Sequence, residues 1–288
     1  MPALDEETIY NPERARQLLK NALSGRYAEG ISLSLPLSPP APLELCLLPS
    51  CDAHAHYLFL ARQIIGKRLE SGWYEGRLVL LNAQPHSGAA ALEHILEKMI
   101  NTESPFTPDL RQRDTTSISL AALLHIPNGG VLSGCYTSHN YHGRIIERCK
   151  ARVCTLLRHP ADIMAEQSLT AEELAGLLHW MSSWLARGQN DPAFHFLRYE
   201  DLEADIIKEI QKLCRWLHQD NPSAGLLREA RKRWPGTPHP DAKRELNPES
   251  RKAYNATVKH FAAICPNMGD LLHYYPDLLS IDSLRNIA

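Results

Sequence analysis

The stretch Arg77-Leu78-Val79-Leu80-Leu81-Asn82-Ala83-Gln84-Pro85-His86-Ser87-Gly88-Ala89-Ala90-Ala91-Leu92 decides the fold of this 288-residue chain. Four successive apolar residues, Leu78 to Leu81, read as a strand buried on both faces. Gln84-Pro85-His86-Ser87-Gly88 is a tight loop, after which Leu92, Ile95, Leu96 and Met99 repeat at helical spacing. A strand, a short loop and a helix start bring backbone N–H groups and the positive end of the helix dipole to one point, the arrangement that holds a phosphate. The lysine-bearing pattern G-x-x-x-x-G-K-[ST] is absent, so the loop taken alone does not separate a phosphate cradle from an ordinary turn into a helix.

Outward from this stretch the elements alternate. Residues 45–48 read as a strand, 55–69 as a helix and 78–82 as the next strand, a βαβ unit with a turn at Glu75-Gly76. Further strands are expected at 131–136, 152–157 and 194–197. Thr170-Ala171-Glu172-Glu173 has the capping-box pattern, and Leu174, Leu177, Leu178, Met181 and Leu185 continue at helical spacing to Gly188. A second long helix is expected after Asp201, with Leu202, Ile206, Ile210, Leu213 and Leu217 on one face. The pattern implies an α/β fold with a mostly parallel sheet flanked by helices, whose ligands sit at the carboxyl ends of the strands. Upstream, Asn11-Pro12 opens a short helix, and the proline-dense run from Leu35 to Pro42 reads as a linker. This divides the chain into an appendage, 1–42, and an α/β domain, 43–288. The regions 101–128 and 217–240 read as loop-rich surfaces suited to a lid or a substrate.

A formal charge of -2 argues against a general nucleic-acid binder. A local imbalance stands out between Arg228 and Lys252, where eight Lys/Arg face four Asp/Glu and suit an anionic ligand as well as a solvated helix surface. The seven cysteines form no C-x-x-C pair, and Cys46, Cys154 and Cys214 fall in apolar runs, which points to a reducing compartment. No apolar run approaches the roughly 18 residues of a membrane span, and the acidic start Met1-Pro2-Ala3-Leu4-Asp5-Glu6-Glu7 is unlike a signal peptide. The expectation is a cytoplasmic protein with no membrane or nucleic-acid partner.

Four pieces follow successive strands in fixed order: Gln84-Pro85-His86-Ser87-Gly88, Tyr136-Thr137-Ser138-His139, Leu157-Arg158-His159-Pro160-Ala161-Asp162 and Leu197-Arg198-Tyr199-Glu200-Asp201-Leu202. Over roughly residues 78–261 the arrangement resembles the sulfotransferases that use 3′-phosphoadenosine 5′-phosphosulfate, with their P-K-S-G-T-T loop and their T-H, R-x-P-x-D and R-Y-E-D-L motifs. The resemblance implies a P-loop nucleotide-kinase-like three-layer fold and transfer of a sulfuryl group from that donor to a hydroxyl or amine. The acceptor would be a small molecule or a peptide, with no metal required. It implies that Pro85, His86, Ser87, Gly88, Ala89 and Ala90 wrap the 5′-phosphosulfate, and that Arg158 binds the 3′-phosphate with its planar fork. His139 would be the general base, a task that suits an imidazole near neutral pH, with His142 three residues on as its possible confusion. Tyr199 would lie near the nucleotide, with Glu200 and Asp201 capping and positioning the helix they open. Lys232 and Arg233, in the cluster Arg231-Lys232-Arg233 near Lys243-Arg244, would close over the 3′-phosphate.

Three departures fall on positions the chemistry uses. His86 stands where the family has a lysine that neutralises the departing phosphate, so His86 would share the catalytic role in protonated form. Ala89 and Ala90 replace hydroxyl residues that bond the phosphate, each such bond to a charged group being worth roughly 1.5–3 kcal/mol. Glu166 occupies the place of a phosphate-binding serine, where its carboxylate would repel the ligand. Ser168, two positions on, would substitute if the helix start were shifted. The alternative is therefore a catalytically impaired relative that serves as a binding or scaffold protein. A kinase-like phosphoryl transferase is disfavoured because the loop has no lysine and no Ser/Thr placed for magnesium. The pair His54-x-His56 resembles an amidohydrolase metal motif, but His125, His139 and His195 supply no convincing second ligand group.

Overall fold

The computed structural model describes residues 51–84, 87–100, 130–219, 221–234 and 246–279, together with 11, 14, 15, 118, 123 and 126. Pro85, His86, the strand expected at 45–48, the proline linker, Lys243 and Arg244 lie outside the described residues, as do most of 1–42 and 101–128.

Helix α1 (Cys51–Glu70) leads into β1 (Leu78–Ala83), α2 (Ala89–Met99), β2 (Gly130–Gly134), α3 (Asn140–Cys149), β3 (Arg152–Leu157), α4 (Pro160–Gln167), α5 (Ala171–Gly188) and β4 (Phe194–Arg198). The chain continues through α6 (Tyr199–Trp216), α7 (Ala224–Arg233), α8 (Pro248–Ile264) and α9 (Met268–Tyr274). The strands form a parallel sheet in the order β2-β1-β3-β4, with Asn82 in register with Gly134 on one side and Thr155 on the other. All six positions of β1 are buried, as its unbroken apolar run requires of a central strand covered on both faces.

One face carries Leu78, Leu80, Leu132, Val153 and Leu157 and packs against α1, α3, α4, α5, α8 and α9, with Leu178, Trp184, Tyr254 and Leu271 at its centre. The other carries Val79, Leu81, Val131, Cys154, Leu156 and Leu197 and is covered by α2, α6 and α7 through Leu92, Ile95, Ile210 and Leu213. The result is the three-layer α/β architecture expected.

The long helix α5 starts as its sequence dictates. Thr170 Oγ1 accepts from the Glu173 amide at 3.2 Å, and Glu173 returns a bond to the Thr170 amide at 2.8 Å. Two boundaries differ from expectation. Strand β2 stops at Gly134 because the Tyr136 amide donates to the Asn82 side chain at 2.9 Å instead of a neighbouring strand. Helix α6 begins at Tyr199, before the acidic pair that looks like its cap, and is broken at Asp205, whose Oδ1 then caps the continuing turn through the Lys208 amide at 3.1 Å.

Two readings are corrected. The region 217–240 is not all loop: Ser223 caps α7 through the Leu226 amide at 3.1 Å, and Leu226, Leu227 and Ala230 pack into the second core. The metal-motif reading of His54-x-His56 gives way to the alternative of histidines opening a helix: both lie in the first turns of α1, and the four strands among the described residues form an open sheet and no barrel. Among the described residues no group of three or more His, Cys, Asp or Glu is placed to hold a metal ion, and no helix is long and apolar enough to cross a membrane.

Candidate functional site

Strand β1 feeds α2 on one face of the sheet, whereas the adjacent strand β3 feeds α4 on the other. Chain paths that part in this way leave a crevice beyond the carboxyl ends of the two strands, where doubly wound sheets bind their ligands. The loop after β1 and Arg158 after β3 both border it.

The loop is held from within. Ser87 is fully buried, and its hydroxyl donates to the Gln84 carbonyl at 2.6 Å, with the Ser87 amide on the same oxygen at 3.3 Å. Gly88 follows at φ 80°, a left-handed conformation suited to glycine, and opens α2 without a side-chain cap. Glycine is required there for a second reason: a Cβ would meet the Trp234 ring at 2.3 Å. Among the described residues nothing accepts a hydrogen bond from the amides of Gly88, Ala89 or Ala90, the first amides of α2. Ala89 packs into the second core while Ala90 is exposed. Toward the carboxyl ends of β1 and β3, several buried polar atoms have no partner among the described residues: Asn82 Nδ2, both amide atoms of Gln84, and Thr155 Oγ1. Each costs roughly 1–3 kcal/mol unless a group from outside the fold bonds it.

Trp234, just past the end of α7, is the hub of the cluster. Its indole seats on Gly88 and packs against the Tyr199 ring at a centroid distance of 5.3 Å, and Tyr199 in turn carries the Arg158 guanidinium over its face at 4.4 Å. Burial is the main cause that pushes the Tyr199 hydroxyl up to about 12. Arg158 is 7% exposed, and its two terminal nitrogens are 2.7 and 2.6 Å from the two carboxylate oxygens of Glu166, a bidentate pair. Burial alone would lower the Arg158 pKa, but the hydrogen bonds and charge of Glu166 outweigh it and hold the guanidinium above its usual range. Ser168 stands exposed at the end of α4, in left-handed conformation with its amide on the Met164 carbonyl. Helix α4 therefore starts without the shift that would bring Ser168 to the arginine. Glu166 is the residue that reaches it.

Glu200 acts across the sheet edge. Its Oε1 accepts from the His159 amide at 2.6 Å and its Oε2 from the Tyr275 hydroxyl at 3.4 Å, tying the start of α6 to the turn that carries Arg158. Burial pushes its carboxyl up, against the pull of the His159 amide. Asp201 faces Arg198 at 3.8 Å, and the Arg198 guanidinium lies over the Tyr275 ring. Lys232 and Arg233 end α7 directly before Trp234; both are exposed, and Arg233 Nε donates to Glu229 at 2.8 Å.

The segment carrying His139 hangs from one backbone position. The Tyr136 carbonyl accepts from the indole nitrogens of both Trp180 and Trp184, each at 2.7 Å, and the Tyr136 amide is held by Asn82. From this anchor the chain reaches Ser138, whose carbonyl accepts from Arg187 at 3.4 Å, and His139, exposed at the start of α3. His142 is of a different kind. It is buried, its Nδ1 donates to the Thr137 carbonyl at 2.6 Å, and its Nε2 accepts from the Ile118 amide at 3.3 Å. Burial lowers its pKa, and both ring nitrogens are taken up by the surrounding backbone, as in a structural histidine.

Sequence reading missed the two tryptophans on α5, Trp234 and the buried Asn82. Their signals were present: buried indoles seek acceptors for their N–H, and Trp180 and Trp184 sit one turn apart on one helix face.

The fold is a doubly wound α/β architecture in which the loop after β1, the exposed His139 after β2 and Arg158 after β3 all follow the carboxyl ends of strands. Residues 133–234, about a third of the chain, match the family model of the sulfotransferase domain, the family that the motifs resemble. That segment spans the His139, Arg158 and Tyr199 motifs as well as Trp234. Among solved structures, the mouse sulfotransferase SULT7A1 complexed with PAP is similar at 15% identity and a TM-score of 0.44, covering 73% of this chain and 94% of that one. No curated protein matches the chain. The amides at the start of α2 suit a phosphate group. The residues present do not fit a 3′-phosphate at Arg158, whose fork is filled by Glu166.

Proposed function

We propose that the chain is a sulfotransferase that moves a sulfuryl group from 3′-phosphoadenosine 5′-phosphosulfate to a hydroxyl or amine of a small-molecule or peptide acceptor. One observation carries the reading: Trp234 touches Gly88 on one side and Tyr199 on the other, and Tyr199 carries Arg158, so the phosphate loop and the ends of β3 and β4 converge on one crevice. In this reading the amides of Gly88 to Ala90 and the α2 dipole hold the 5′ end of the donor, and the resemblance gives Lys232 and Arg233 the 3′ end of the nucleotide. His139 accepts the acceptor's proton as the acceptor oxygen or nitrogen bonds to sulfur and the sulfur–oxygen bond to the departing phosphate breaks. His86 would neutralise the charge left on that phosphate, a role that rests on the resemblance. No step calls on a metal ion.

The test is a calorimetric titration with adenosine 3′,5′-bisphosphate and, separately, with adenosine 5′-monophosphate. Heat from either supports the reading, whereas no heat from both at millimolar concentration sinks it. His139→Ala should keep nucleotide affinity and lose sulfuryl transfer, and unchanged turnover would remove the base assignment. The Arg158–Glu166 pair favours a second reading, a binding module without turnover. It is distinguished by nucleotide binding with no transfer to any hydroxyl or amine acceptor offered.

A further inference from the structure

We infer that Glu166 sets the nucleotide specificity of the crevice: by occupying the Arg158 fork it removes the grip on a 3′-phosphate, so the site prefers adenosine nucleotides with a 5′-phosphate or phosphosulfate and no phosphate at the 3′ position. The inference rests on the sulfotransferase reading of the loop and of Arg158, and it shifts the preferred donor of that reading from the 3′-phosphorylated nucleotide to a 5′-phosphosulfate lacking the 3′ group.

The fork by which Arg158 would take a phosphate end-on is its pair of terminal nitrogens. The two terminal nitrogens are bonded to the Glu166 oxygens at 2.7 and 2.6 Å, and one face lies over the Tyr199 ring at 4.4 Å, itself backed by Trp234. The side chains are 9% and 19% exposed, so water screens the pair weakly. Asp162 adds a second negative charge near the guanidinium. A 3′-phosphate brought to Arg158 would therefore meet two carboxylates around one cation, and to reach the fork it would have to expel Glu166. Backbone motion offers no easy release, since α4 is fixed by its His159 cap at one end and the Ser168–Met164 bond at the other. The start of α2 is untouched by this pairing, and the amides of Gly88, Ala89 and Ala90, which have no acceptor among the described residues, suit a 5′-phosphate. The carboxylate thus plays toward Arg158 the part of the missing phosphate.

The test uses the full chain and two probes that differ by one group, adenosine 5′-monophosphate and adenosine 3′,5′-bisphosphate, titrated by calorimetry at one ionic strength. The wild type should bind the monophosphate about tenfold or more tightly than the bisphosphate, a like-charge penalty of ordinary size. Glu166→Ser and Glu166→Gln should each raise bisphosphate affinity about tenfold and leave monophosphate affinity within about threefold. A wild type that prefers the bisphosphate overturns the inference and leaves the sulfotransferase reading standing. Folded Glu166 variants with an unchanged preference also overturn it. No binding of either probe overturns both. Should the variants fail to fold, the wild-type ratio still decides.

Discussion

Replacing Glu166 by glutamine keeps the shape of the side chain and deletes its charge, leaving the Arg158 guanidinium with one neutral oxygen where it had two anionic ones. With charge centres about 4 Å apart and an effective dielectric near 20, the Coulomb attraction lost is about 4 kcal/mol. The 9% and 19% exposures of the two side chains place the pair between surface and interior, and the glutamine carbonyl retains one bond. We expect Glu166→Gln to lower unfolding stability by about 2–4 kcal/mol, at the lower edge of the cost of breaking a buried pair. Removing both charges, as Arg158→Met with Glu166→Leu, should recover most of that loss, because desolvation of the two ions disappears with their attraction. Urea denaturation of wild type, Arg158→Met, Glu166→Leu and the double variant gives the coupling energy directly. A buried pair should also keep its coupling when salt is raised from 0.05 to 0.5 M, the range over which an exposed pair fades. A cost for Glu166→Gln below about 0.5 kcal/mol, or a coupling that vanishes in salt, would show a solvated pair and refute the reasoning.

Three further outcomes follow from the geometry. Trp180→Phe and Trp184→Phe each remove one N–H from the Tyr136 carbonyl and should cost about 1 kcal/mol singly, with the double variant losing turnover beyond either single one as the His139 segment loosens; equal kcat values across the set would disprove the anchoring role. Gly88→Ala combines a left-handed φ with a Cβ 2.3 Å from the Trp234 ring, so the chain should lose about 2–4 kcal/mol and shift its tryptophan emission, and a neutral substitution would mean that the indole does not seat there. His195, stacked on Trp216, is kept neutral down to about pH 4 by burial and by Lys212. Its folded pKa is depressed, so the stability it contributes is present above its ordinary pKa of 6.5 and is lost as pH falls toward 4, up to about 3 kcal/mol. Stability of His195→Asn across the same window should fall less steeply than that of wild type; matching slopes would contradict the assignment.

The sheet was legible because its strands are short apolar runs closed by turns. Strand β3 was read to the residue, Arg152 to Leu157, since covering both faces demands a mostly apolar series, broken here only by Thr155 after its first residue. The end of β2 was not, because it depends on a side chain from the neighbouring strand, Asn82, which takes the Tyr136 amide out of the ladder. Helix α7 escaped notice because its apolar positions, Leu226, Leu227 and Ala230, are few beside its basic ones and are buried only by tertiary contact with the second core. At the site, Glu166 was visible as a misplaced charge against a phosphate. Its actual partner, Arg158, lies eight residues back across the turn into α4, a pairing that no spacing within a helix encodes. The seating of Trp234 on Gly88 joins distant parts of the chain through two opposite helix ends, and nothing local announces it.

Trp234 also makes the crevice its own optical reporter. It is one of five tryptophans, 6% exposed, and its ring lies against the glycine where the loop turns into α2. Any anion drawn to the loop amides changes the electric field across that indole before anything else in the chain responds. Stopped-flow emission, compared with that of Trp234→Phe, would then time ligand arrival separately from the slower chemistry, with no label and no acceptor identified.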